Sequence, residues 1–98
     1  MEKILNQIRK EREMQNKKWG EQNHNPVEWI AIITEEIGEA ARMAVDLHFQ
    51  NPVLSFSGEL TPPDNNHKKY RTEEYKRELI QSAAVIIQAI ECIDRNNP

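Results

Sequence analysis

The sequence holds a single cysteine, no long apolar run and no excess of positive charge, and each shortage removes a class of function. One cysteine cannot close an internal disulfide. Cys92 has no Cys or His neighbour at zinc-site spacing and reads as a small buried apolar residue. No stretch approaches the roughly 20 apolar residues that a membrane span requires. The N-terminal MEKILNQIRKER lacks the apolar centre of a secretory signal, so the expectation is a soluble, cytoplasmic protein with no membrane partner. The chain has 13 basic against 16 acidic residues, a net charge of -3. That is the wrong balance for a generic nucleic-acid binder, which needs a basic footprint for phosphate backbones. Its 98 residues suffice for one compact domain, 1–98, and not for two.

Three helical segments are expected. Residues from about 2 to 18 carry Ile4, Leu5 and Ile8 at helical spacing, and end in Lys17 and Lys18, which suit the negative end of a helix dipole. Gly20 stops that helix. The next start is well marked by Asn25 as N-cap, Pro26 in the first turn and Glu28 three residues after the cap. From 26 to about 48 the residues Trp29, Ile30, Ile33, Ile37, Ala40, Ala44 and Leu47 recur at three and four, as an amphipathic helix requires. Residues from about 50 to 71 hold Pro52, Gly58, Pro62 and Pro63 and read as a long loop. Thr72, followed by Glu73 and Glu74, marks the start of a last helix from 72 to about 94. Its Leu79, Ile80, Val85, Ile86, Ile87, Ile90 and Ile93 point in almost every direction. A helix apolar nearly all round is buried on more than one side, and two other helices in a short chain cannot surround it. The expected fold is therefore an all-α bundle of three main helices per chain, completed by association into a homodimer or homotetramer.

The chemistry sits in Glu35-Glu36-Ile37-Gly38-Glu39, three carboxylates on one helix in a segment that otherwise reads as core. Like charges on one helix face repel by a few tenths of a kcal/mol per pair, so a cation belongs between them. Glu36 and Glu39 lie about 60° apart at the edge of the buried face. On the last helix Glu78 aligns with Val85, Ala89 and Cys92, an inward stripe, and Gln81 offers an amide oxygen one turn on. Facing antiparallel helices would gather Glu36, Glu39, Glu78 and Gln81 into an all-oxygen cluster. Such ligands select Mg²⁺ or Mn²⁺ over zinc or copper.

Glu35-Glu36-Ile37-Gly38-Glu39 with Glu78-Leu79-Ile80-Gln81 resembles the paired motif of the MazG-like all-alpha nucleoside triphosphate pyrophosphohydrolases, Glu-Glu-x-x-Glu and Glu-x-x-Asp. The stretch Trp19-Gly20-Glu21-Gln22-Asn23-His24-Asn25-Pro26 is similar to the segment before the first motif in the dCTP pyrophosphatase branch. The resemblance implies a MazG-like four-helix-bundle architecture and hydrolysis of a (deoxy)nucleoside triphosphate to the monophosphate and pyrophosphate. It implies Mg²⁺ held at Glu36, Glu39, Glu78 and the position of Gln81, with Glu35 orienting or deprotonating the attacking water. Trp19 and His24 match positions that approach the base, and Lys17, Lys18 and Lys69 flank the motifs within reach of phosphates.

Each residue also has a plainer reading. An acidic run on a helix is often a solvated face, Glu78 can be a core acid paired with Lys or Arg, and His24 a turn residue. Trp19 serves as well as a core anchor, and Trp29, His48 and His67 read as structural or surface residues. A ferritin-like di-iron site needs Glu-x-x-His pairs on helices, and only Glu21 and His24, in a turn, have that spacing. The stronger rival is a catalytically weak or inactive helical dimer that binds nucleotides or a protein partner, favoured by Gln81 standing where the motif has aspartate.

Overall fold

The computed structural model describes residues 1–97 and is mostly helical, with α1 at Glu2–Trp19, α2 at Pro26–Phe49 and α3 at Asn65–Asn96. A small antiparallel hairpin, β1 (Val53–Leu54) and β2 (Leu60–Thr61), lies between α2 and α3. Among the described residues, no helix is long and apolar enough to cross a membrane.

The first two helices fall within a residue of the expected bounds because their end signals are strong. Gly20 closes α1 at φ 72°, a left-handed backbone that side chains disfavour, and its N–H donates to the Asn16 carbonyl at 2.8 Å. At the start of α2, Glu28 N–H donates to Asn25 Oδ1 at 2.8 Å and Asn25 N–H to Glu28 Oε1 at 3.0 Å. This is a reciprocal capping box with Pro26 in the first turn.

The third helix starts seven residues before the expected Thr72, and the loop expected over 50–71 is correspondingly shorter. Asp64 is the true cap: its Oδ1 accepts His67 N–H at 2.9 Å and pairs with His67 Nδ1 at 2.7 Å. Those hydrogen bonds, the backbone one foremost, hold the Asp64 carboxyl below its ordinary value. Pro62 and Pro63 stop the helix from extending further upstream. Between Asn65 and Arg71 no proline or glycine opposes helix, and Thr72 sits inside it with its hydroxyl donating back to the Lys68 carbonyl at 2.9 Å.

α3 is the central helix, and α1 and α2 pack on it rather than on each other. The α2 contact is apolar. Trp29 packs with Val85, Ala89 and Cys92, flanked by Ile32 and Ile33, and the small buried residues Ser82 and Ala89 keep the α3 surface low. The α1 contact is largely polar. Gln15 and Gln88 are both buried, with Gln88 Nε2 donating to Gln15 Oε1 at 2.6 Å, and Arg12 Nε meets Glu91 Oε1 at 2.6 Å.

α2 and α3 run antiparallel, so the two ends of the molecule differ. At one end Arg95 donates to the Gln22 carbonyl at 2.9 Å and pairs with Glu21 at 3.2 Å, tying the end of α3 to the turn before α2. At the other, Gln50 takes a left-handed conformation (φ 50°), Arg71 reaches the Asp46 carbonyl at 3.1 Å, and the hairpin follows. The chain measures 55 × 30 × 22 Å.

Replacing Gln88 by Ala strands the buried Gln15 Oε1, which accepts from Gln88 Nε2, and we expect a loss of about 1–3 kcal/mol in stability by urea denaturation. A Gln15→Met, Gln88→Leu double variant removes both partners of the bond together and recovers most of that loss.

Candidate functional site

Antiparallel packing sets Glu78 of α3 opposite the acidic turn of α2. Glu36, Glu39 and Glu78 each present a carboxylate oxygen such that all three atoms lie within 4.8 Å of one another. Glu36 and Glu78 are half-buried and Glu39 is exposed, so the cluster lies at the rim of the α2–α3 contact. Among the described residues no Lys or Arg forms an ion pair with any of the three, and the reading of Glu78 as a paired core acid does not hold.

The electrostatics follow from this crowding. Burial, then the charges of Glu39, Glu35 and Glu11, push the Glu36 carboxyl above its ordinary value. Burial also raises Glu78, followed by proton sharing with Glu39 and the charges of Glu39, Glu36 and Glu74. With every carboxylate ionised, Glu78 Oε2 is a buried oxygen with no hydrogen-bond partner. A proton or a cation relieves the arrangement, and the protein supplies neither from its own basic side chains.

Two cavities border the cluster. One, of about 550 Å³, is lined by Glu36 and Gln81 together with Lys17, Lys18 and Trp19 from the end of α1. That size lies within the range of roughly 300–1,000 Å³ typical of small-molecule sites. Lys18 Nζ sits 4.8 Å from the Trp19 ring centroid, and Trp19 is exposed, so it is not a core anchor. The other cavity, of about 390 Å³, is lined by Glu39 and Glu78 with Arg42, Tyr70 and Glu74. The carboxylates form the wall between the two.

Not every candidate joins this arrangement. Glu35 is exposed beside the cluster and contributes charge to Glu36 without presenting an oxygen to it. His24 faces away: its Nε2 lies 3.1 Å from Gln22 Oε1, and its ring meets the buried Trp29 edge-on at 4.9 Å. It lines a separate apolar groove of about 410 Å³. Lys69 is exposed near the start of α3 and lines neither cavity beside the carboxylates, although the next residue, Tyr70, does. Trp29 is a core residue, while His48 is exposed and His67 serves the Asp64 cap.

The sequence reading missed Glu11, Gln15, Arg42, Tyr70 and Glu74. Helical spacing signals three of them: Arg42 is three residues from Glu39, and Glu74 lies midway between Tyr70 and Glu78 at steps of four. Glu11 and Gln15 carry no such signal, because they reach the site only through the register of α1 on α3.

Folding raises the Glu36 and Glu78 pKa values above 4.5, so the folded chain binds those protons more tightly than the unfolded one. The destabilisation is therefore absent below 4.5 and grows as pH rises through the raised values. Asp64 works in the opposite sense, losing its contribution as pH falls below 3.8, outside this window. Without divalent cations, Glu78→Gln should melt above the wild type at about pH 7, and the gap should narrow toward about pH 5. Circular dichroism melts across that interval check the sign.

Compared with known protein families, curated proteins and solved structures, the chain matches none of them.

Proposed function

We propose that the protein is a Mg²⁺-dependent pyrophosphohydrolase that cleaves a (deoxy)nucleoside triphosphate to the monophosphate and pyrophosphate, Mn²⁺ serving as an alternative cation. The observation that carries this reading is a cluster of three carboxylates from two helices, free of ion pairs, beside a cavity that also holds Trp19, Lys17 and Lys18. The donor set fits the cation. Hard oxygens without His or Cys suit Mg²⁺, and the buried, unpartnered Glu78 Oε2 is an oxygen in want of a positive group.

Glu36, Glu39 and Glu78 would hold the ion, with Gln81 beside Glu36 as a neutral oxygen donor. Bound Mg²⁺ supplies charge neutralisation for the polyphosphate and polarises water. Glu35, exposed next to Glu36, orients the attacking water and takes its proton. Lys17 and Lys18 meet phosphate oxygens across the cavity, and the exposed Trp19 ring offers a face on which a base stacks. Arg42 stands on the far side of the carboxylates, where it pairs with the terminal phosphates of a substrate that spans the cluster. The MazG-like architecture belongs to this same proposal.

The functional unit is a homodimer or a higher assembly. The chain exposes 7490 Å², whereas a compact monomer of 11.5 kDa exposes about 5,800 Å². The surplus, roughly 1,700 Å², is what each partner of a large obligate interface contributes. Its apolar part includes Leu79, Ile86, Ile90 and Ile93, at steps of seven, four and three along α3 and all exposed. This stripe is a coiled-coil-like seam without a partner in the chain.

A second reading, a catalytically weak or inactive dimer that binds nucleotides or a protein partner, draws on Gln81, whose amide brings no charge to the cluster. Pyrophosphate release across a panel of common and modified triphosphates with Mg²⁺ separates the two. We expect release from at least one, and a loss of roughly 10²-fold or more in Glu39→Gln with helix content unchanged. Absence of pyrophosphate from the whole panel leaves the binding reading standing alone.

A further inference from the structure

The hairpin between α2 and α3 is built to present an apolar tip. Leu54 pairs with Leu60 across the strands, so both side chains share one face. They are 66% and 69% exposed, and Phe56 in the turn is fully exposed. The turn is held by its own hydrogen bonds: Ser55 N–H to the Glu59 carbonyl at 2.8 Å, Gly58 N–H to the Ser55 carbonyl at 3.0 Å and Glu59 N–H to Ser55 Oγ at 3.1 Å. Gly58 supplies the left-handed backbone, φ 86°, that this turn requires. The strands pack on each other and on no helix. An isolated two-stranded hairpin is marginal in water, and this one carries three exposed apolar side chains.

A complementary hollow lies at the other end of the molecule. The apolar groove of about 410 Å³ runs between the start of α2 and the end of α3, walled by Trp29, Ile30, Ile33, Ala89, Cys92 and Ile93. The hairpin of the same chain cannot fill it, since the hairpin follows the far end of α2, roughly 36 Å away at 1.5 Å per residue over 24 residues. A two-fold axis perpendicular to the α2–α3 pair carries the hairpin end of one copy onto the groove end of the other. Isologous symmetry makes the fit reciprocal, two tips into two grooves.

We infer that two copies pair antiparallel along the exposed α2–α3 face, each seating the Phe56 tip of its hairpin in the other's groove; this rests on the dimer reading above. The surface between tip and groove has the character the pairing needs. Ile30 and Ile37 on α2 and Leu79, Ile86, Ile90 and Ile93 on α3 are exposed, and Ile30 and Ile93 also wall the groove, so the apolar face runs into it. The surplus of roughly 1,700 Å² over a compact monomer is of the size that each partner of an obligate dimer buries. A lipid surface fits less well, because residues 50–66 include Glu59 and Asp64 and no Lys or Arg to meet anionic headgroups. The seam lies about 100° round α3 from Glu78, so the pairing leaves the cavity beside Trp19 open.

The full chain with p-benzoylphenylalanine in place of Phe56 tests this directly, using a mixture of unlabelled and ¹⁵N-labelled protein. Illumination should join chains of unlike label, with the cross-link mapped to the Trp29–Ile33 or Ala89–Ile93 region, and light scattering should give a dimeric mass. Phe56→Asp should weaken dimerisation by roughly tenfold or more while leaving helix content unchanged. A monomeric mass at micromolar concentration overturns the inference, as do cross-links within one chain, none at all, or a dimer cross-linked elsewhere. That last result removes the clasp and keeps the dimer. No arm reads catalysis, so the pyrophosphohydrolase proposal stands or falls separately.

Discussion

The contact between α2 and α3 is the constraint on which the remainder of the molecule depends. Trp29 inserts against Ala89 and Cys92, and Ser82 allows the α3 surface to lie close. Large side chains at those positions would push the helices apart, since interiors pack at near-crystalline density and tolerate little extra volume. The same contact fixes the register that sets Glu78 opposite Glu36 and Glu39. A shift of one residue along α3 turns Glu78 by about 100°, which is enough to dissolve the cluster.

Attachment of α1 obeys a different logic. Its bonds to α3 include the buried Gln15–Gln88 pair, Gln15 Nε2 to the Gln81 carbonyl and the Arg12–Glu91 ion pair, directional contacts that define position more than they add stability. Position is what the proposed site requires, because α1 brings Lys17, Lys18 and Trp19 to the cavity beside Glu36. Near the middle of the bundle the carboxylates work against folding. Burial and mutual repulsion raise Glu36 and Glu78, and no basic side chain compensates. A local conflict of this kind, in a chain otherwise consistent from caps to core, is the ground on which the proposed site rests.

Much of the fold was legible in single residues. Asn25, Pro26 and Glu28 announced the start of α2, and Gly20 the end of α1, because caps are local hydrogen-bonding devices that work within four residues. The start of α3 was misplaced for an equally local reason: Thr72 with two acids after it imitates a cap, and Asp64 was passed over inside a polar run behind two prolines. The carboxylates of the cluster were readable from the 3.6-residue period, and so was the inward direction of Glu78. His24 and Lys69 were not separable from the site on sequence grounds. One faces Trp29 and the other solvent, for reasons of register between helices.

By itself, then, the sequence determined three helices, two of their three starts and the presence of acids where core was expected, since these follow from periodicity and capping within one helix; it did not determine the buried faces, because Ile4, Leu5, Ile30 and Ile37 are exposed and α1 buries Gln15 instead. Tertiary structure alone decided what meets what. The antiparallel packing of α2 on α3 brought the carboxylate oxygens of Glu36, Glu39 and Glu78 within 4.8 Å of one another, and the register of α1 brought Glu11 and Gln15 beside them. It also put an apolar hairpin tip and an apolar groove at opposite ends of the molecule. Those outcomes depend on side-chain volumes and hydrogen bonds between residues more than 60 positions apart, such as Gln15 and Gln88, and no pattern confined to one helix encodes them.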